Sequence, residues 1–148
     1  MNCVRPGNYF DTIGQAKKIY GRRMEPLCRK WTLTHSELDI LLFLYNHPEY
    51  DRAVDIVTRR GIAKSHVSLS VGTLETKLLL VREEDPGDRR TVHLRLTQAG
   101  KVIAEEGRQL QRRYFDTVFA GITPEELEVW QGICDRVVQN LRDMDPHE

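Results

Sequence analysis

Apolar residues between positions 8 and 29 recur at intervals of three and four, at Ile13, Ala16, Tyr20, Met24 and Leu27. This is the repeat of one helical face, and it predicts a helix whose stripe joins the core. The next stretch, WTLTHSELDILLFLYNHPEY, sets Thr34 and Glu37 three apart ahead of Leu38, Leu41, Leu42 and Tyr45. A threonine and a glutamate at that spacing form a capping box, so a short buried helix is expected from there to NHP. In DRAVDIVTRRGIAKSHVSLSVGTLETKLLL the pattern predicts a brief helix over about Ala53 to Arg60, with Ile56 and Val57 inward. Gly61 ends it, because glycine takes up a left-handed conformation at little cost. A second helix opens three residues later and carries Val67, Val71, Leu74 and Leu78 as one stripe. Its other face is left with Lys64, Ser65, His66, Ser68, Gly72, Thr73 and Thr76. Short helix, tight turn and a helix with a small, polar outer face make the helix-turn-helix pattern.

Beyond it the period changes from helical to two. Leu80 to Glu84 and Thr91 to Thr97 flank DPGDRR, and Val92, Leu94 and Leu96 alternate with Thr91, His93, Arg95 and Thr97. This predicts a hairpin, with Pro86 and Gly87 at the centre of a type II turn. Thr97 then caps a long helix over about 98 to 120 bearing Ile103, Leu110, Tyr114 and Val118. In GITPEELEVW, Thr123, Pro124 and Glu126 start a last helix striped by Leu127, Trp130, Cys134, Val137 and Leu141. One small chain does not readily bury such long terminal stripes. A homodimer through the first helix and the last two is therefore expected.

Composition narrows the class. The chain has 148 residues, is 40% hydrophobic and 30% charged, and contains no run of about eighteen apolar residues that would span a membrane. Its beginning, MNCVRPGNYF, lacks the apolar run of a secretory signal, so a cytoplasmic protein is expected. Cys3, Cys28 and Cys134 lie far apart, and no two of the five histidines are four residues apart. No disulfide framework, metal site or cofactor is expected. Net charge is zero, yet residues 52 to 101 hold ten basic and six acidic residues, and the remainder twelve and sixteen. A basic middle in an acidic frame is how a polyanion-binding face looks. No glycine-rich phosphate loop, nucleophile elbow or clustered catalytic carboxylates and histidines appear, so no enzyme is expected.

The segment VDIVTRRGIAKSHVSLSVGTLETKLLLVREEDPGDRRTVHLRLTQAG resembles the winged helix-turn-helix of the MarR family of bacterial transcription regulators. The likeness is most specific in the hairpin, where Asp88-x-Arg90 is followed by a strand and L-T-x-x-G. Helix order at both termini agrees. The resemblance implies a mainly α fold: residues 34–100 as the DNA-binding domain with a β-hairpin wing, and residues 1–33 and 101–148 as a helical dimerisation lobe. It also implies a repressor that binds a pseudo-palindromic operator in double-stranded DNA and is released by a small effector. Lys64, Ser65, His66, Ser68, Leu69 and Thr73 would then face the major groove. Arg90 would enter the minor groove or clamp the DNA backbone, Arg89 would contact phosphate, and Asp88 would fix the Arg90 guanidinium. Three departures stand out. Leu69 and Thr73 occupy positions where arginine or another long polar residue is frequent, Leu78 replaces a glycine, and Arg60 replaces an apolar residue.

The resemblance further implies an aromatic or anionic effector held between lobe and winged helix, with Tyr9, Phe10, Ile13, Tyr20, Trp31 and Phe43 as candidate pocket residues. Two other readings compete. One is a thiol-based redox regulator, with Arg22, Arg23, Arg29 and Lys30 lowering the pKa of Cys28. The other is a winged helix that binds protein instead of DNA.

Overall fold

The computed structural model describes residues 6–144. Its elements are α1 (Pro6–Trp31), α2 (His35–Asn46), α3 (Ala53–Arg60), α4 (Lys64–Thr76), β1 (Leu80–Glu84), β2 (Val92–Leu96), α5 (Gln98–Val118) and α6 (Pro124–Met144). Two compact units divide within α5, one ending at Tyr114 and one beginning at Phe115. Cys3 and His147 lie outside the described residues.

Local chemistry starts α2. Thr34 Oγ1 accepts from the Glu37 amide at 3.2 Å, and Glu37 accepts from the Thr34 amide at 3.1 Å, which is the expected capping box. The run Leu38, Ile40, Leu41, Leu42, Phe43 and Leu44 is buried all round, making α2 the centre of the first unit's core. Ile56 of α3, Val67, Val71 and Leu74 of α4, Leu80 and Leu94 of the hairpin, and Ile103 of α5 pack about it. Burying such side chains is worth about 1.5–3 kcal/mol each, so this cluster dominates the unit's stability.

The turn between α3 and α4 is built as its residues predict. Asp55 accepts from the Arg52 amide at the helix start, and Gly61 ends α3 at φ 61°, ψ 32° with its N–H on the Val57 carbonyl. One expectation about α4 is overturned. Its buried stripe stops at Leu74, whereas Leu78 is 73% exposed and holds φ +57° outside the helix. The Leu79 amide reaches back to the Leu74 carbonyl at 3.0 Å, and closing the helix that way forces its neighbour into the left-handed region. Leu78 thus has the conformation for which glycine is the usual choice.

Lys77 fastens this corner to the end of α1. Its ammonium donates to the Thr32 carbonyl at 2.7 Å and to buried Glu37 at 2.8 Å. A carboxylate removed from water needs such a partner.

β1 and β2 pair antiparallel with Leu80 opposite Leu96 and Glu84 opposite Val92. Thr97 Oγ1 accepts from the Gly100 amide and donates to the Leu78 carbonyl, so the cap of α5 also anchors the hairpin's base. A Cβ on Gly100 would stand 2.1 Å from the Leu79 carbonyl oxygen, and only glycine permits that approach.

The first helix is less buried than its stripe predicts. Met24, Leu27 and Cys28 join the core and Tyr20 packs against it, but Tyr9, Phe10, Ile13 and Ile19 are exposed. Near the other end of this unit the Tyr114 hydroxyl donates to the Ala16 carbonyl, and Gln111 donates to the Tyr20 hydroxyl. In the second unit Thr123 and Glu126 form the expected capping box of α6, and the Phe119 and Trp130 rings lie 5.1 Å apart. No residue of α6 is buried, although its stripe includes Trp130, Val137 and Leu141. Val118 of α5 is likewise exposed.

Candidate nucleic-acid interface

With Val67, Val71 and Leu74 anchoring α4 in the core, Lys64, Ser65, His66, Ser68 and Leu69 are left exposed and Thr73 half-buried. Two hydroxyls on this face turn inward: Thr73 donates to the Leu69 carbonyl at 3.1 Å and Thr76 to the Gly72 carbonyl at 3.0 Å. His66 Nε2 lies 3.3 Å from Ser36 Oγ on α2. Leu69 is 70% exposed.

The hairpin tip differs from the type II turn expected. Gly87 does not take the positive φ that such a turn requires of its third residue. Asp85 shapes the turn instead: its Oδ1 accepts from the amides of Gly87 at 2.8 Å and Asp88 at 3.0 Å, so a carboxylate does what the glycine conformation was expected to do. Asp88 then repeats the device. Its Oδ1 accepts from the Arg90 amide at 3.0 Å and its Oδ2 from the Thr91 hydroxyl at 3.0 Å. The expected bond from Asp88 to the Arg90 guanidinium is absent. A short carboxylate two residues away meets the nearer backbone N–H, leaving the guanidinium in solvent.

The hairpin is also held from its free edge, by residues that sequence reading did not single out. The Leu94 amide donates to the Asp51 carbonyl at 2.7 Å. His93 lies between two carboxylates, with Nδ1 2.7 Å from Asp51 and Nε2 3.1 Å from Asp85, and Arg95 bridges Asp51 and Glu83. Hydrogen bonding to Asp51 and then to Asp85 raises the His93 pKa above its usual 6.5. The bond from His93, followed by those from the Gly87 and Asp88 amides, holds Asp85 below the usual carboxylate value. The one signal in the sequence was His93 itself, a titratable residue on an alternating strand. Its partner is 42 residues distant.

Four of the ten cations of this segment are neutralised by carboxylates. Arg52 pairs with Asp55, Lys77 with Glu37, Arg82 with Glu75, and Arg95 with Asp51 and Glu83. Among the described residues, Lys64, Arg89 and Arg90 form no ion pair. All three are exposed, at the start of α4 and at the hairpin tip. α3, α4 and the hairpin border one apolar cleft of about 300 Å³, whose lining includes Val54, Val57, Lys64, Ser68, Arg82 and Val92. The N-terminal half of α4 and the hairpin therefore flank the same depression.

Among the described residues, the six aromatic and apolar residues expected to form an effector pocket stand in different surroundings. Phe43 is fully buried in the α2 core, Tyr20 packs edge-on against Tyr114, and Trp31 is partly exposed beneath the Lys30 ammonium. Tyr9, Phe10 and Ile13 are exposed on the first turns of α1. Cys28 Sγ lies 3.9 Å from His35 Nδ1. Burial, then the charges of Glu25, Asp39 and Glu37, raise the Cys28 pKa, and two of the cations expected to lower it are bound elsewhere, Arg29 to Glu25 and Lys30 to Glu106.

Residues 31–91, from the end of α1 to the hairpin tip, match the profile of the MarR family. The chain is similar to YdgJ of Bacillus subtilis (strain 168), an uncharacterised HTH-type transcriptional regulator. The two are 24% identical over 143 residues, covering 97% of this chain and 85% of YdgJ. Its fold is similar to that of a MarR-family transcriptional regulator from Listeria monocytogenes solved with 26mer DNA. There the TM-score is 0.82 at 14% identity, over 97% of this chain and 91% of that one. It is similar too to Bordetella bronchiseptica BpsR, whose DNA binding is regulated by 6-hydroxynicotinic acid. That match has a TM-score of 0.65 at 21% identity, over 88% of this chain and 98% of BpsR. The profile match thus covers the helix-turn-helix and the hairpin to its tip, and the fold is similar to that of MarR-family regulators along nearly the whole chain.

Proposed function

We propose that this protein is a cytoplasmic, DNA-binding transcriptional repressor that works as a homodimer and is released from its operator by a small-molecule effector. The observation that carries this reading is charge distribution. Lys64, Arg89 and Arg90 stand free of ion pairs on the two elements that flank one cleft, whereas Arg52, Lys77, Arg82 and Arg95 are neutralised by carboxylates and Arg59 and Arg60 lie over aromatic rings. Unpaired cations on a protruding helix and hairpin are what phosphate contacts need. In this reading α4 enters the major groove, and the hairpin tip brings Arg90 to the minor groove, about 6 Å wide. Residues 34–100 are the DNA-binding segment, and the helices outside it form the dimerisation lobe. The apolar stripe of α6, unburied within the chain, supports that pairing. The DNA complex of the Listeria relative supports the partner, and the control of BpsR by 6-hydroxynicotinic acid supports an effector of similar chemistry.

The test is titration of the full chain against duplexes selected from a random-sequence library, at low and physiological salt, beside sedimentation. A dimer should prefer selected over random duplexes. About four phosphate-contacting cations per dimer, Lys64 and Arg89 of each protomer, should make its affinity fall about a hundredfold between roughly 50 and 200 mM salt. Binding indifferent to sequence and salt would overturn the reading.

A further inference from the structure

We infer that Leu69 is the residue with which this protein reads thymine, through the C5-methyl group in the major groove. This rests on the DNA-binding reading above and says what that surface recognises. Bases are distinguished in the major groove by complementary chemistry: arginine or lysine for guanine, asparagine or glutamine for adenine, a carboxylate for cytosine, and an apolar contact for the thymine methyl. α4 contains no arginine, asparagine, glutamine or aspartate. Its one carboxylate, Glu75, is bound to Arg82 at 3.2 Å. Lys64 is the first residue of the helix, where phosphate is the ordinary partner. Thr73 and Thr76 donate their hydroxyl protons to the helix's own carbonyls, and His66 is at hydrogen-bond distance from Ser36. What remains on the outward face is Ser65 and Ser68, whose hydroxyls suit several bases, and Leu69.

Leu69 stands in relief there. It is 70% exposed, and its neighbours one turn away are Ser65, His66, Gly72 and Thr73, of which His66 lies 3.3 Å from Ser36 on α2. A Cβ added to Gly72 would meet nothing within 4 Å, so the backbone beside Leu69 is open to a close approach. An isobutyl group pressed onto a guanine, adenine or cytosine edge would strip water from polar atoms without replacing their hydrogen bonds. Against a thymine methyl it buries apolar surface on both sides. The half-site should therefore carry thymine under Leu69.

The experiment replaces each thymine of the selected half-site in turn by uracil, which removes only the C5-methyl group. Wild type, Leu69→Ala and Leu69→Asn are titrated against every duplex. Wild type should lose about fourfold in affinity at the thymine under Leu69, the worth of one buried methyl. Both variants should bind the thymine duplex more weakly and treat thymine and uracil alike at that position. Because the side chain is exposed, both should keep the wild-type thermal midpoint, and Leu69→Asn separates loss of apolar character from loss of bulk. Selected half-sites without thymine, tolerance of uracil at every position, or the same uracil penalty in both variants would each overturn the inference. If the library yields no sequence preferred over random DNA, the DNA-binding reading falls, and this inference falls with it.

Discussion

Asp88 accepts a hydrogen bond from the backbone amide of Arg90 at 3.0 Å and forms no ion pair with its guanidinium. The acid thus orders the chain that carries the arginine while leaving the arginine's charge available. This makes a prediction whose sign is diagnostic. If charge alone mattered, Asp88→Ala would strengthen DNA binding, because it removes a carboxylate that phosphate repels. If Asp88 acts by ordering the tip, Asp88→Ala should weaken binding about three- to tenfold, while Asp88→Asn, whose side-chain oxygen still accepts from the Arg90 amide, should bind at least as well as wild type. Both exposed substitutions should change unfolding free energy by less than about 1 kcal/mol. Competition titration with urea denaturation checks both parts.

Leu78 is a leucine in a glycine's conformation. A left-handed backbone costs a residue with a Cβ about 1–2 kcal/mol, and its 73% exposure returns little burial. Glycine removes that strain but adds about 0.5–1 kcal/mol of unfolded-chain entropy. Strain is the larger effect, so Leu78→Gly should stabilise the protein by about 0.5–1 kcal/mol, read as a rise in the urea midpoint at unchanged slope. A fall would show that Leu78 packs in a way this account omits.

These two residues also mark how far the sequence could be read. Where signals lay within four residues of one another, as in the Thr34–Glu37 and Thr123–Glu126 boxes or at Gly61, the elements were legible to within a residue or two. Leu78 was misread because a leucine eleven residues after Val67 continues the helical stripe on paper, whereas the chain had already left the helix. At the tip Pro86–Gly87 is an ordinary type II signal, and only the Asp85 side chain, accepting two amides, shows why Gly87 needs no positive φ. Asp51 carried no local signal, since its role depends on a strand 42 residues away. The exposed face of α4 was legible because its buried stripe leaves one outer face. For the aromatic residues of α1 and α2, periodicity does not tell a core position from a pocket wall.

The His93 clamp predicts a pH dependence. Both ring nitrogens meet carboxylates, which only the doubly protonated imidazolium can satisfy as a donor. Its pKa is raised in the folded state, so the stability it contributes is fully present below about pH 6.5, the unfolded value, and is lost as pH rises through the folded value. The Asp85 pKa is lowered, so its contribution holds above the ordinary carboxylate value and is lost on acidification through the folded one. The wing should therefore be most ordered in mildly acidic solution and loosen on the alkaline side. NMR titration of the His93 ring should give a pKa above 6.5, and His93→Gln should flatten the fall in thermal midpoint between about pH 6 and 9. A ring that titrates below 6.5 would contradict the clamp.

The central claim is that the unpaired cations at the hairpin tip touch DNA. The most direct measurement is the affinity of wild type, Arg89→Ala and Arg90→Ala for one selected duplex across a series of salt concentrations. Arg90→Ala should lose about 1–3 kcal/mol of binding free energy. Arg89→Ala should lose less, and should lower the slope of log affinity against log salt by about one per contact removed, with thermal midpoints unchanged in both. Equal affinities and slopes for all three proteins would contradict the account and take the hairpin out of the interface.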